Sequence, residues 1–137
     1  MLLKKLKELV FKRADGLCEY CKSPANISSQ PFVAEHIIPK SKNGRTELNN
    51  LALACQGCNN HKYNKIKGID KATGKEAKLF NPMKQKWEDN FVWANNTLDI
   101  LGISSTGRAS IDTLKLNRIE LKNLRKLLFD VGKHPPK

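Results

Sequence analysis

The chain contains no apolar run approaching the roughly 18 residues that a membrane span needs, so no membrane-crossing helix is expected from it. Met1 to Ala14 alternates leucines with lysines and lacks the uninterrupted apolar core of a signal peptide. A cytoplasmic location is the expectation. No internal repeat and no low-complexity segment is found, which leaves no ground for a repeat array or a tail of biased composition. Acidic residues are scarce, with 13 Asp and Glu against 25 Lys and Arg, a net charge of +12. An excess of this size favours polyanionic partners, and phosphate neutralisation would make binding salt-dependent. Composition alone does not separate a nucleic-acid binder from an enzyme.

Cysteine is also scarce, but the four present fall into two C-x-x-C pairs, Cys18 with Cys21 and Cys55 with Cys58. In a cytosolic chain such pairing reads as zinc before disulfide. Four soft thiolates suit tetrahedral Zn²⁺, and one structural ion is expected on Cys18, Cys21, Cys55 and Cys58. A redox pair would need only one C-x-x-C, beside a βαβ pattern that the sequence does not show.

At 137 residues the chain is expected to form one domain, with a core at 17–68, a C-terminal extension at 69–131 and a tail at 132–137. The spacing of Leu2, Leu6, Leu9 and Val10 predicts an amphipathic helix over Met1 to Ala14, ended by Asp15-Gly16. Lys4, Lys5, Lys12 and Arg13 on it are secondary candidates for phosphate contact. After the first cysteine pair comes a loop at Lys22 to Gln30, a strand at Pro31 to Ile38, a loop turning at Asn43-Gly44, a strand at Leu51 to Ala54, and a helix from Cys58 towards Gly68. Ile69 to Asn81 reads as irregular and Pro82 to Glu88 as a short helix. Phe91 to Ala94 and Leu98 to Leu101 read as a hairpin turning at Asn95-Asn96, with left-handed dihedrals there. Ser110 to Val131 reads as one long helix with an apolar stripe of Leu114, Leu121, Leu124 and Leu128. Trp87, Phe91 and Trp93 are assigned to the core and His134 to the surface of a frayed tail. The fold class is α+β.

Glu35 and His36 lie side by side near the end of the first strand. Phosphodiester hydrolysis needs an activated water and neutralised charge on the phosphate. A histidine can act as general base near neutral pH, and a divalent metal on a carboxylate and another oxygen can serve the phosphate. Neighbours on a regular strand point to opposite faces, so the strand must bend or end there, as Pro39 allows.

The run Cys18-x-x-Cys21, Glu35-His36-Ile37-Ile38-Pro39, Asn50-Leu51, Cys55-x-x-Cys58-Asn59 and Lys62 resembles the HNH endonucleases. A looser resemblance to small bacterial stand-alone HNH proteins continues through Leu79 to Pro82, Trp87, Phe91, Trp93, Gly107 to Ala109 and Leu116 to Arg118. The resemblance implies a ββα-metal core stapled by the four-cysteine zinc site, flanked by an N-terminal helix and by a C-terminal hairpin and helix. It implies His36 as general base, Glu35 as metal-binding carboxylate, Asn50 as brace of the loop bearing the base, and Asn59 as the other metal ligand with His61 as substitute. Lys62, one helical turn past Asn59, is placed to touch phosphate. Glu35 departs from the more usual aspartate by one methylene. The hard oxygen donors favour Mg²⁺ or Mn²⁺, and the implied substrate is double-stranded DNA. The alternatives are a zinc-stapled nucleic-acid-binding module without catalysis and a zinc protein that prefers RNA.

Overall fold

Four consecutive apolar residues, Leu51–Ala54, are all fully buried, and the first half of the chain is built round them. The chain is described over residues 2–137 as a computed structural model, so Met1 of the expected first helix lies outside the described residues. Its elements run α1 (Leu2–Arg13), β1 (Val33–His36), β2 (Leu51–Ala54), α2 (Gln56–Lys62), β3 (Lys67–Asp70), β4 (Lys75–Lys78), β5 (Phe91–Trp93), β6 (Ile100–Gly102), α3 (Ser105–Leu114) and α4 (Ile119–Asp130). The architecture is mixed α+β, with three antiparallel strand pairs, β1 with β2, β3 with β4 and β5 with β6. Contacts divide the chain into two units, Met1–Ile66 with Asn81–Gln85, and Lys67–Phe80 with Lys86–Lys137. No helix among the described residues is long and apolar enough to cross a membrane.

In the first unit β1 and β2 pair from Val33 opposite Ala54 to His36 opposite Leu51, and α2 follows directly. This is the expected strand, loop, strand, helix order. The helix begins two residues earlier than expected, because Cys55 caps it: its sulfur accepts the Cys58 N–H at 3.5 Å. It stops at Tyr63, short of Gly68. Helix α1 lies against β1 and β2, but the leucine face does not all go inward. Val10 is buried, whereas Leu2 and Leu9 are exposed. Arg13 is held within the fold, donating to the carbonyls of Leu48 and Leu51 and to Glu19. That guanidinium anchors the helix.

In the second unit the segment expected to be irregular forms the β3–β4 hairpin. Asp70 closes its turn by accepting the Ala72 N–H, and Arg108 grips the same carboxylate with two parallel bonds of 2.9 Å. Polar composition hid this hairpin, since its stability comes from α3 packed against it and from a buried carboxylate. The expected helix at Pro82 to Glu88 reduces to a single 3-10 turn at Trp87–Asp89. The β5–β6 hairpin is present, but the left-handed residue of its loop is Thr97, not Asn95 or Asn96. Gly107 lets α3 come close, since a Cβ there would lie 2.0 Å from the Asn90 carbonyl oxygen.

The long helix expected at Ser110 to Val131 is broken in two. Lys115 turns left-handed, and Asn117 leaves the helical path to bond the Ile100 N–H at 2.7 Å and the Ile100 carbonyl at 2.8 Å. Arg125 on α4 then donates to the carbonyls of Leu116 and Leu98 and lies 5.2 Å from the centre of the Trp93 ring. The tail is tied down as well. His134 is buried, its Nε2 pairs with the Thr97 carbonyl at 2.7 Å, and its ring meets Trp93 edge-on at 4.5 Å.

Burial, with a smaller contribution from the Arg125 charge, holds the His134 imidazole below its ordinary range. A group depressed by folding binds fewer protons folded than unfolded. Its contribution to stability is therefore complete above the ordinary value of 6.5 and is lost as the pH falls through the lower folded value. Urea unfolding followed from about pH 7.5 to about pH 5 should show this loss in the wild type. It should be diminished in His134→Gln, and equal slopes in the two would contradict the account.

Candidate active site

The first unit is tied together by sulfur. The four cysteine Sγ atoms lie within 4.8 Å of one another and all four residues are buried. Cys21 and Cys55 are 3.7 Å apart, close to the roughly 3.8 Å edge that four Zn–S bonds of 2.3 Å would give a tetrahedron. Each pair makes the same turn, with the Cys21 N–H on the Cys18 sulfur and the Cys58 N–H on the Cys55 sulfur, both at 3.5 Å. Burial pushes the Cys18 thiol up, whereas hydrogen bonds from Cys18, Cys21 and Cys58 hold Cys55 far below the usual thiol range. A cluster of this donor type, spacing and burial fits a structural Zn²⁺.

The staple brings Tyr20, inside the first cysteine pair, beside the end of β1. Glu35 is 6% exposed. One of its oxygens accepts the Tyr20 hydroxyl, and the other accepts the Lys62 ammonium at 3.2 Å. Burial raises the Glu35 carboxyl despite the lowering effects of Lys62 and Tyr20.

The expectation that Lys62 touches phosphate is corrected here. Lys62 is 1% exposed, and its Nζ also donates to the carbonyls of His36 at 3.2 Å and Ile37 at 2.9 Å. Its three N–H groups have three acceptors inside the fold. Helix α2 is too short, and too close to β1, for this lysine to reach outward.

His36 is half-buried as the last residue of β1, and its Nε2 lies 2.8 Å from the Thr46 hydroxyl. Burial first, then the charges of Lys40 and Lys62, hold its imidazole below the ordinary range. Asn50 is buried where the loop returns to β2. Its side chain accepts from the Ile38 N–H at 2.9 Å and donates to the Ile38 carbonyl at 3.0 Å and the Arg45 carbonyl at 2.8 Å. Gly44 lies so close to Ile38 that a Cβ would sit 1.7 Å from the Ile38 carbonyl oxygen. The loop after His36 is thus fixed at both ends.

Glu35 and His36 alternate along β1, yet both line one cavity of about 460 Å³, together with Asn59, Lys40 and Tyr63. The strand ends at His36, and both residues border the same space there, although the Glu35 carboxylate is held by Tyr20 and Lys62. His61 is exposed and does not line the cavity. Tyr63 carries no expectation from the sequence. It follows α2 with φ 50° and ψ −119°, a region that costs a non-glycine residue on the order of 1–3 kcal/mol. Thr46 and Tyr20 carry no expectation from the sequence either. The only sequence signals for them are position, inside the loop after the base for Thr46 and between the zinc cysteines for Tyr20.

Residues 18–65 match the family model described as HNH endonuclease. The likeness to the HNH endonucleases lies in this segment. The match encloses the four cysteines, Glu35, His36, Asn50, Asn59 and Tyr63. The chain is also similar, at 28% identity over 146 aligned positions, to the Septu protein PtuB of Bacillus mycoides (strain KBAB4). The alignment takes in 88% of this chain and 49% of that protein, so the chain spans about half the length of the curated relative it matches. No solved structure matches.

Two outcomes test the way the HNH domain is held together. Elemental analysis should find about one zinc ion per chain. Cys58→Ser should lose that ion and the circular dichroism of a folded first unit, because a structural zinc site contributes on the order of 10 kcal/mol. Full zinc retention in that variant would contradict the assignment. Lys62→Met leaves the Glu35 carboxylate buried without its cation, a change that costs about 3–5 kcal/mol. Its urea midpoint should fall, and adding Glu35→Gln should restore much of the loss.

Proposed function

We propose that this protein is an endonuclease that hydrolyses DNA phosphodiester bonds, with His36 as the general base. The observation that supports this best is the shared cavity. A histidine, a glutamate and an asparagine line one space at the end of a strand pair, and they lie within the segment that matches the HNH model. His36 is held towards its neutral form by burial and nearby cations, so it can accept a proton from water near neutral pH. Thr46 fixes one ring nitrogen, and Asn50 steadies the loop that follows the base. The net charge of +12 attracts the polyanion.

The donor types fit a hard divalent ion, Mg²⁺ or Mn²⁺, held by Glu35 and Asn59. Such an ion supplies charge neutralisation at the phosphate when it is bound. Glu35 shares its negative charge with Lys62 and Tyr20, so the protein offers that ion no net charge of its own. Lys62 acts as a positioning residue in this scheme. It holds the end of β1, and with it the base, against α2.

The same sharing of charge supports a second reading, a zinc-stapled module that binds nucleic acid without cutting it. Cleavage of supercoiled plasmid with Mg²⁺, Mn²⁺ or EDTA separates the two. The nuclease reading expects metal-dependent nicking or linearisation that falls at least about 100-fold in His36→Ala, with zinc content unchanged. A folded, zinc-loaded wild type that binds DNA and leaves it intact at millimolar metal would favour the module. Equal cleavage by His36→Ala would overturn His36 as the base.

A further inference from the structure

We infer that Tyr63 is a stacking platform for an unpaired nucleobase beside the scissile phosphate, and that the preferred substrate has its bases unstacked at that step. This rests on the reading of the cavity as a nucleic-acid site. The argument begins with the backbone. Tyr63 has φ 50° and ψ −119°, a conformation that glycine enters freely and a β-carbon resists. The surrounding chain holds it there. The Tyr63 N–H completes the last turn of α2 on the Asn59 carbonyl at 2.9 Å, the Lys65 N–H bonds the Lys62 carbonyl at 2.9 Å, and Lys42 Nζ holds the Asn64 carbonyl at 2.9 Å.

The ring gains little inside the fold to offset this strain, since Tyr63 is 73% exposed. Glycine would relieve the backbone and give up almost no burial. What the side chain contributes must therefore be sought outside the folded chain.

Its position says where. Tyr63 lines the same cavity as His36 and Asn59, and exposed Lys40 lines it too. An exposed aromatic face beside a cation and the proposed general base suits a nucleotide: the Lys40 ammonium for the phosphate, the ring for the base. Every base offers a π-face, so such a platform tolerates any sequence. In an intact duplex those faces are covered by neighbouring pairs. A base that reaches Tyr63 is therefore single-stranded or has swung out of a locally opened duplex.

The test uses the full zinc-loaded chain in a His36→Ala background, so that the probe survives. The probes are a short oligodeoxynucleotide carrying one 2-aminopurine, the same strand fully paired, and the same strand with the 2-aminopurine left as an unpaired bulge. Wild-type Tyr63 should quench the fluorescence of the single-stranded and bulged probes and bind them more tightly than the paired one. Tyr63→Gly should weaken single-strand binding about tenfold and abolish the quench while its thermal midpoint stays the same or rises. Tyr63→Phe should keep both binding and quench. Quenching by the single strand alone would assign a single-stranded substrate, and quenching by the bulge as well would extend it to opened duplex.

Unchanged affinity and quench in Tyr63→Gly would overturn the inference and leave the nuclease reading standing. So would equal losses for paired and unpaired probes. A fall in the thermal midpoint of Tyr63→Gly would show that the ring serves the fold instead. Failure of Tyr63-containing protein to bind any of the three probes would bring down the proposed function together with this inference.

Discussion

A buried ammonium must find acceptors, and the way Lys62 finds them organises the candidate site. Its three bonds, to the Glu35 carboxylate and the carbonyls of His36 and Ile37, clamp the last turn of α2 onto the end of β1. The other end of α2 is held by the thiols, since Cys55 caps the helix and Cys58 lies in its first turn. A helix of seven residues is too short to be stable alone. Here one end is fixed by sulfur and the other by charge, and His36, Asn59 and Tyr63 take their places from that double anchorage.

The same clamp sets the electrostatics. Glu35 would carry the one full negative charge expected of a metal site, and Lys62 already balances it. The cavity is therefore lined by an imidazole held towards its neutral form, an asparagine, the Lys40 cation and a glutamate already paired with Lys62, within a chain of net charge +12.

The second unit solves its packing differently, through polar side chains that bond backbone groups. Asn117 pairs with both polar atoms of Ile100 as a neighbouring strand would, Arg125 gathers two carbonyls, and the Asp70 carboxylate, held by Arg108, takes the Ala72 N–H. Short strands of three and four residues leave many backbone groups to satisfy, and these side chains satisfy them. This is also why sequence reading was weakest here. Periodicity reports an apolar face, so Leu114 to Leu128 looked like one helix. It is silent about an asparagine whose better partner lies seventeen residues away.

What the sequence determined by itself were features that depend on local spacing and residue chemistry. Two C-x-x-C pairs, the apolar run at Leu51–Ala54 and the order of strand and helix signals were enough to anticipate the mixed α+β fold and the four-cysteine cluster, and the resemblance to the HNH endonucleases implied the HNH match. Only the tertiary structure decided which charges face solvent. Lys62 has the same composition and helical spacing whether it meets phosphate or is buried against Glu35. Desolvation by the packed β1, β2 and α2 decides between them. Likewise, nothing local marks Tyr63 as strained or His134 as buried. The first depends on where α2 must stop, the second on contacts with Thr97 and Trp93 far along the chain. Long-range contacts and burial are properties of the folded whole, so a reading of local pattern cannot supply them.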